Sequence, residues 1–350
     1  MENQLKTELM LDIDWKNLPF GYFKTDYNLR AYFKDGQWSQ LEITSDETIN
    51  IHMSATALHY GQDIFEGMKA YRGVDGKVRI FRWEENWQRM QNSAHGILME
   101  SVPKEIFHEA IVTAVKLNSQ YIPPFGTGAA LYIRPFLFGS GPEVGVKPSK
   151  EYTFVVFVCP VGPYFKEGFN PVNIAVVRDS DRAAPLGTGN IKVGGNYAAS
   201  LRGIEKAHDA GCSSPLYLDS KEKLYIDEIG AANFFGIKNN TYITPNSVSI
   251  LPSVTNKSIC TIAESLGLKV ERRSVRFDEI ESFEEIGACG TAAIISPIGK
   301  IIDIDTGKIY EFCKNGQAGP ITTKLYNKLV AIQFGQEPDE FGWIEFIDVE

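Results

Sequence analysis

Residues 184–200 read "APLGTGNIKVGGNYAAS". The single lysine, Lys192, stands among Gly187, Gly189, Gly194 and Gly195, with Ile191 and Val193 on either side and no carboxylate in the stretch. Lysines ordinarily lie where water solvates the ammonium. An amine held among apolar neighbours loses that solvation, so its pKa falls and its neutral, nucleophilic form becomes accessible. A lysine that condenses with a carbonyl needs this setting. Glycine lets a backbone adopt unusual angles or take a ligand closely, so Gly194-Gly195 is expected to lie against a flat group. A solvated lysine on a loop would be spelled the same way, and the neighbouring stretches must decide.

Three stretches bear on it. In "SILPSVTNKSICTIAESLG" (249–267), Ser253 and Thr255 fall at the predicted start of a helix. Free N–H groups and the positive dipole end suit an anion there, although Ser253 could serve as a plain N-cap. In "GACGTAAIISP" (287–297), Gly290-Thr291-Ala292 offers exposed amides, or simply a tight turn between strands. In "YIDEIGAANFF" (225–235), Glu228 ends an apolar strand beside small residues. It could face a ring nitrogen or be a solvated turn carboxylate. An amine, a phosphate-suited helix start, a carboxylate and close-approach glycines are together what pyridoxal phosphate requires.

The surroundings read as α+β. "LRAYFKDGQWS" (29–39) and "MKAYRGVDGKVRIFRW" (68–83) are hairpins around Asp35-Gly36 and Asp75-Gly76. Trp83, Trp87, Met90, Ala94, Ile97 and Leu98 keep a helical period, and a second helix is expected over 103–120. "GAALYIRPFLFG" (128–139) reads as a strand. "GSGPEVGVKPSKE" (139–151) is rich in Gly, Pro and Ser and is expected to be an interdomain loop. Short strands follow, interrupted by helices at about 197–210 and from Ser253 to before Gly267.

The 350 residues, 43% hydrophobic, suit two domains better than one core. A net charge of -9 without a basic run argues against nucleic acid and anionic membrane as partners. The five cysteines form no CxxC pair and the five histidines no ligand spacing, so no metal is expected. Sparse cysteines, an N-terminus without a signal peptide's apolar core, and no membrane-length apolar run point to the cytoplasm.

The sequence resembles the branched-chain amino-acid aminotransferases of the class IV pyridoxal-phosphate fold. The matching pieces run in order: "ALHYGQDIFEGMKAY" (57–71), "FRWEENWQRMQNSA" (81–94), "LYIRPFLFG" (131–139), "VGVKPS" (144–149), "CPVGPYF" (159–165), "GNIKVGGNYAASL" (189–201), "DEIGAANFF" (227–235), "ILPSVTNKSI" (250–259) and "CGTAA" (289–293). The resemblance implies a small N-terminal α/β-sandwich-like domain over 1–138, the loop at 139–151, and a larger C-terminal pseudo-barrel domain over 152–350 that binds the cofactor. It implies that Lys192 holds pyridoxal 5′-phosphate covalently and carries protons. Tyr197 would bond the ring oxygen and Glu228 the ring nitrogen. Arg89, Val254, Thr255 and Thr291 would bind the phosphate. Tyr60, Phe65, Gly67, Tyr132, Arg134 and Val161 would shape the substrate pocket, with amides of Thr291 and Ala292 receiving the α-carboxylate. The implied substrates are leucine, isoleucine, valine, glutamate and their 2-oxo acids, and the implied assembly is a homodimer. Some members carry a CxxC redox pair just after the GTA motif. Here Ala293 and Ser296 stand there, so no thiol switch is expected. Two other readings are a D-amino-acid aminotransferase or lyase of the same fold, which "YIRP" with "GTAA" argues against, and a non-catalytic phosphate-ligand binder, which would not need the amine.

Overall fold

Asp35 and Gly36 take φ of 52° and 82°, the backbone of a two-residue hairpin turn. They join β1 (Asn28–Lys34) to β2 (Gln37–Trp38), and β3 (Glu42–Thr44) returns along β1. A one-turn helix α1 (Thr56–Tyr60) leads into β4 (Asp63–Phe65). The second Asp-Gly turn joins β5 (Met68–Arg72) to β6 (Val78–Phe81). Helices α2 (Trp83–Gly96) and α3 (Lys104–Leu117) follow, then the long antiparallel pair β7 (Ala130–Gly139) and β8 (Tyr152–Val161). Met90 and Ala94 of α2 and Phe107, Ile111 and Val115 of α3 pack with the inward faces of these strands.

The chain then builds a second sheet from β9 (Val172–Val177), β10 (Ser214–Leu218), β11 (Ile226–Ile229), β12 (Ala232–Lys238), β13 (Thr241–Pro245), β14 (Lys269–Arg273), β15 (Glu285–Gly290), β16 (Ile294–Asp303) and β17 (Ile309–Glu311). Strand β11 bonds both β10 and β12, which closes the run β10-β9-β16-β15-β12 into a barrel-like ring. Helices α4 (Gly194–Asp209), α5 (Val254–Ser265) and α6 (Pro320–Gln333) pack around it. The last strand, β18 (Ile344–Ile347), returns to pair β6 of the first sheet. The architecture is α+β, an antiparallel sheet with two helices followed by a closed, barrel-like sheet, as the resemblance implies.

The computed structural model describes residues 12–164 and 168–349. The N-terminal reading and Phe165, the last residue of "CPVGPYF", lie outside them. Among the described residues no helix is long and apolar enough to cross a membrane.

Four sequence expectations need correction. The 139–151 stretch does not separate the sheets; it joins β7 to β8, which pair from Ala130–Val161 to Gly139–Tyr152. Strands β8 and β18, both expected in the C-terminal unit, belong to the first sheet. Composition identifies a strand but not its partner, which long-range register decides. The helix expected from 197 starts at Gly194. The Gly194 N–H donates to Asp63 Oδ1 at 3.0 Å, and a Cβ at 194 would collide with that carboxylate. Gly194 therefore serves helix-to-strand packing, and Gly195 has nothing near its missing Cβ.

Candidate active site

Lys192 is fixed from three directions. Its N–H donates to Ser93 Oγ on α2 at 2.9 Å, and its carbonyl accepts from Phe65 N–H at 3.1 Å. Asn196, in the first turn of α4, donates to the carbonyls of Thr188 and Ile191, and Thr188 donates to Asn196 Oδ1 at 2.6 Å. The glycine-rich loop is thus tied onto the helix that carries Tyr197. The Lys192 amine donates to Tyr197 Oη at 2.7 Å and lies 4.6 Å from the Phe65 ring centroid. Protein atoms crowd the amine although the side chain keeps some access to the cavity. Burial, with repulsion from Arg89, pushes its pKa down to about 8. The nucleophilic form is therefore within reach near neutral pH. Burial also pushes the Tyr197 phenol up to about 12, so the hydroxyl stays a donor.

Helix α2 places Asn86, Arg89 and Ser93 on one stripe by its i, i+3, i+7 spacing. Arg89 donates through Nε and Nη2 to Glu66 at 2.7 and 2.8 Å, and through Nη1 to the Pro252 carbonyl at 3.0 Å. Burial lowers the pKa of such a group, but the paired Glu66 outweighs it and raises that of Arg89. Glu66 is fully buried and also accepts from Asn86 at 2.7 Å. The Pro252 contact anchors Arg89 to the residue before the α5 cap.

At that cap, Ser253 Oγ accepts from Asn256 N–H. The N–H groups of Val254 and Thr255 have no partner within the helix by geometry. Both residues line a narrow cleft together with Gly290 and Thr291, and Ser253 and Thr291 line the main cavity. This is an anion-seeking corner.

The hairpin of β11 and β12 sets Glu228 opposite Asn233. Asn233 donates to Glu228 Oε1 at 2.7 Å. The Arg182 Nε lies 2.6 Å from Oε2, yet neither of those two atoms makes an aligned hydrogen bond. Arg182 also bonds the carbonyls of Gly189 and Ser249, linking Glu228 to the lysine loop. Burial raises the Glu228 pKa and Arg182 opposes it. Asp227 points the other way along the strand and accepts from Ser249 Oγ.

One cavity of about 430 Å³ gathers most of the expected residues. Lys192, Tyr197, Glu228, Arg89 and Thr291 line it on the cofactor side. Phe65, Gly67, Tyr132, Arg134 and Ala292 line it on the substrate side. Arg134 donates to Tyr132 Oη at 3.2 Å and stacks 4.6 Å from the Phe65 centroid. A Cβ at Gly67 would strike the Tyr132 hydroxyl, so this glycine seats the tyrosine. Val161 lies behind the wall, packed with Tyr132 and Cys159. Tyr60 is outside the cavity; its hydroxyl donates to the Val144 carbonyl in the 139–151 loop. Cys289 is buried, and burial raises its thiol pKa.

The donor set fits pyridoxal phosphate: an amine for the aldehyde, a phenol beside it, a buried carboxylate oxygen without an aligned partner for the ring nitrogen, and a helix start for the phosphate. Glu66, Arg182, Asn196 and Phe20 escaped the sequence reading. Phe20, from the N-terminal arm, packs edge-on against Tyr132 and Tyr164 at the cavity. The glycine after Glu66 was a usable signal. Arg182 sits in "RDSDRAAPLG", which reads as an ordinary polar loop.

Comparison with known proteins gives concordant results. The family model of class IV amino-transferases matches residues 63–301. A branched-chain-amino-acid aminotransferase of Haemophilus influenzae is 49% identical over 342 residues, covering 96% of this chain and 99% of its own length. The solved branched-chain amino acid aminotransferase of Escherichia coli aligns with a TM-score of 0.79 at 26% identity, covering 93% of this chain and 100% of that one. A second solved branched-chain amino acid aminotransferase, this one with pyridoxamine 5′-phosphate, gives 0.77 at 26% identity with the same coverage.

Proposed function

Since the chain belongs to the class IV aminotransferases, we propose that Lys192 and its neighbours divide the chemistry of transamination among themselves. The reaction exchanges an amino group between branched-chain amino acids and 2-oxoglutarate, with pyridoxal phosphate as cofactor. One observation carries the assignment: a lysine amine of lowered pKa, 2.7 Å from a phenol, in a cavity that also presents a buried carboxylate and a helix start.

Bound pyridoxal phosphate supplies the electron sink that lets the substrate's α-carbon lose a proton. Lys192 would be the residue that holds the cofactor, and its amine, when free, would take up the substrate's α-proton and carry it at Nζ. Tyr197 orients that amine and donates toward the ring oxygen. Glu228 would face the protonated ring nitrogen, with Arg182 opposing the rise that burial imposes on its pKa. Val254 and Thr255 N–H groups, Thr291 and the remaining donors of Arg89 hold the phosphate. Amides at Thr291 and Ala292 receive the α-carboxylate. Phe65 and Tyr132 provide the apolar wall, with Val161 behind it, and Arg134 accommodates glutamate's second carboxylate.

The assembly we propose is a homodimer. A groove of about 510 Å³, with Ile49, Leu58, Phe136, Phe138 and Phe157 among its walls, shares Phe65 and Arg134 with the cavity. Nearby Val144 and Val146 are more than four-fifths exposed. Apolar surface of this kind favours a second copy. Tyr60 would then hold the 139–151 loop against the partner's cavity. The five unpaired cysteines support a reducing compartment, the cytoplasm.

The purified protein should absorb above the aromatic range, and L-leucine should shift that band until 2-oxoglutarate restores it. A colourless protein that takes up no pyridoxal phosphate would sink the reading.

A further inference from the structure

Lys69 has no part in the chemistry above, yet it is only 5% exposed. It lies on β5 opposite Tyr132. Among the described residues its amine has one hydrogen bond, to the Ala292 carbonyl at 3.1 Å. Burial alone pushes its pKa down to about 8, with no carboxylate offsetting the lost hydration. Such a residue is costly to keep, and what it touches is the turn between β15 and β16.

That turn is under strain. Ile294, the first residue of β16, has a φ of 59°. A β-branched side chain at positive φ is a genuine outlier, and such strain persists only where the surroundings enforce it. The cleft of the anion-seeking corner, lined by Thr255, Gly290 and Thr291, also reaches Lys69 and Ile294, so the lysine stands between that corner and the turn. Were the Ala292 peptide to rotate, its oxygen would leave Lys69 and could face the incoming anion.

We propose that Lys69 is a positioning residue for carboxylate recognition: it ties back the Ala292 carbonyl so that the strained turn keeps its N–H groups toward the substrate. Its charge acts in the same direction, because a buried cation behind the turn attracts a carboxylate through low-dielectric protein. The inference rests on the reading that Thr291 and Ala292 amides receive the α-carboxylate.

The test uses the cofactor-loaded enzyme and 4-methylvalerate, which is leucine without its amino group and so binds without reacting. Its neutral counterpart is 4-methylvaleramide. Calorimetric titration compares wild type, Lys69→Met and Lys69→Arg, and thermal melts follow each cofactor-free protein. Lys69→Met should weaken the acid by about tenfold or more and change the amide by less than about twofold. Lys69→Arg should recover most of the loss. The melting temperature of Lys69→Met should not fall, since an unpaired buried charge has been removed. Equal losses for acid and amide, or a melting temperature that falls in step with affinity, would overturn the inference, because either marks ordinary core packing. If the wild type binds the acid and Lys69→Met binds it equally well, the inference alone fails. If the wild type does not bind the acid, the carboxylate reading fails and takes the inference with it.

Discussion

Replacing Arg89 with alanine should damage the fold before it damages catalysis. The family resemblance makes Arg89 a phosphate ligand, and its loss a matter of cofactor affinity. The structure adds that Glu66, with no exposed surface, depends on it through two hydrogen bonds of 2.7 and 2.8 Å. Removing one partner of a buried pair costs about 3–5 kcal/mol, because the other charge is stranded. Asn86 stays at 2.7 Å and the Gly67 N–H at 3.3 Å, which favours the lower end. The Pro252 carbonyl also loses its donor, worth about 1 kcal/mol. At roughly 2 °C per kcal/mol for a large domain, the cofactor-free Arg89→Ala protein should melt about 6–8 °C below wild type. Glu66→Gln in the same chain removes the stranded charge and should recover most of the loss. Cofactor affinity should not recover, because the phosphate still lacks its cation. Differential scanning of the four cofactor-free proteins, with equilibrium dialysis of pyridoxal phosphate, completes the cycle. A cofactor-free single variant that melts with wild type, or additive losses in the double variant, would refute the pairing argument.

Lys192→Ala should lose the covalent cofactor link and multiple-turnover transamination; steady-state activity within roughly tenfold of wild type would remove Lys192 from its role. Glu228→Gln keeps an acceptor for Asn233 but loses the charge facing the ring nitrogen, so single-turnover consumption of L-leucine should slow by about two orders of magnitude, and an unchanged rate would refute the role. Arg134→Ala should lower kcat/KM for the glutamate half-reaction about tenfold more than for the leucine half-reaction. Equal losses would show that Arg134 only supports Tyr132 and Phe65.

The sequence carried local structure well and partnership poorly. Two Asp-Gly pairs, the helical period from Trp83 and the Ser253 cap all depend on residues close in the chain, and each is found where expected, save that the helix ends at Gly96, short of Ile97 and Leu98. "TFVVFVCPV" is as apolar as the strands that follow it, so nothing local assigns β8 to the first sheet. The same limit hid the buried charges. Glu66 and Arg182 are readable only through the arginine and carboxylate they meet across the fold. Gly194 was legible as a close-approach site, but what approaches is Asp63. Sequence could say that a side chain was unwelcome there, not what would have met it.

The charges at the site explain why an acidic chain can hold acidic ligands. The whole sequence carries -9, a field that should repel a phosphate and a dicarboxylate. Within the cavity or directly behind it, however, Arg89, Arg134, Arg182, Lys69 and Lys192 outnumber the carboxylates they face, Glu66, Glu228 and, behind Glu228, Asp227. Glu66 and Glu228 each have an arginine of their own, and Asp227 accepts from Ser249. The surplus therefore lies on Lys192, Lys69 and Arg134, which burial or aromatic stacking keeps from water. Exposed charges more than about 8–10 Å apart are screened by physiological salt, while these are not. The local field decides binding. It also orders the site: burial lowers the pKa of both amines to about 8, while the Arg134 guanidinium is held between Phe65 and Tyr132. On the proposed reading, a single carboxylate would be held by the amides and a second one by the Arg134 guanidinium. That asymmetry would let one apolar pocket accept leucine's side chain and glutamate's in turn.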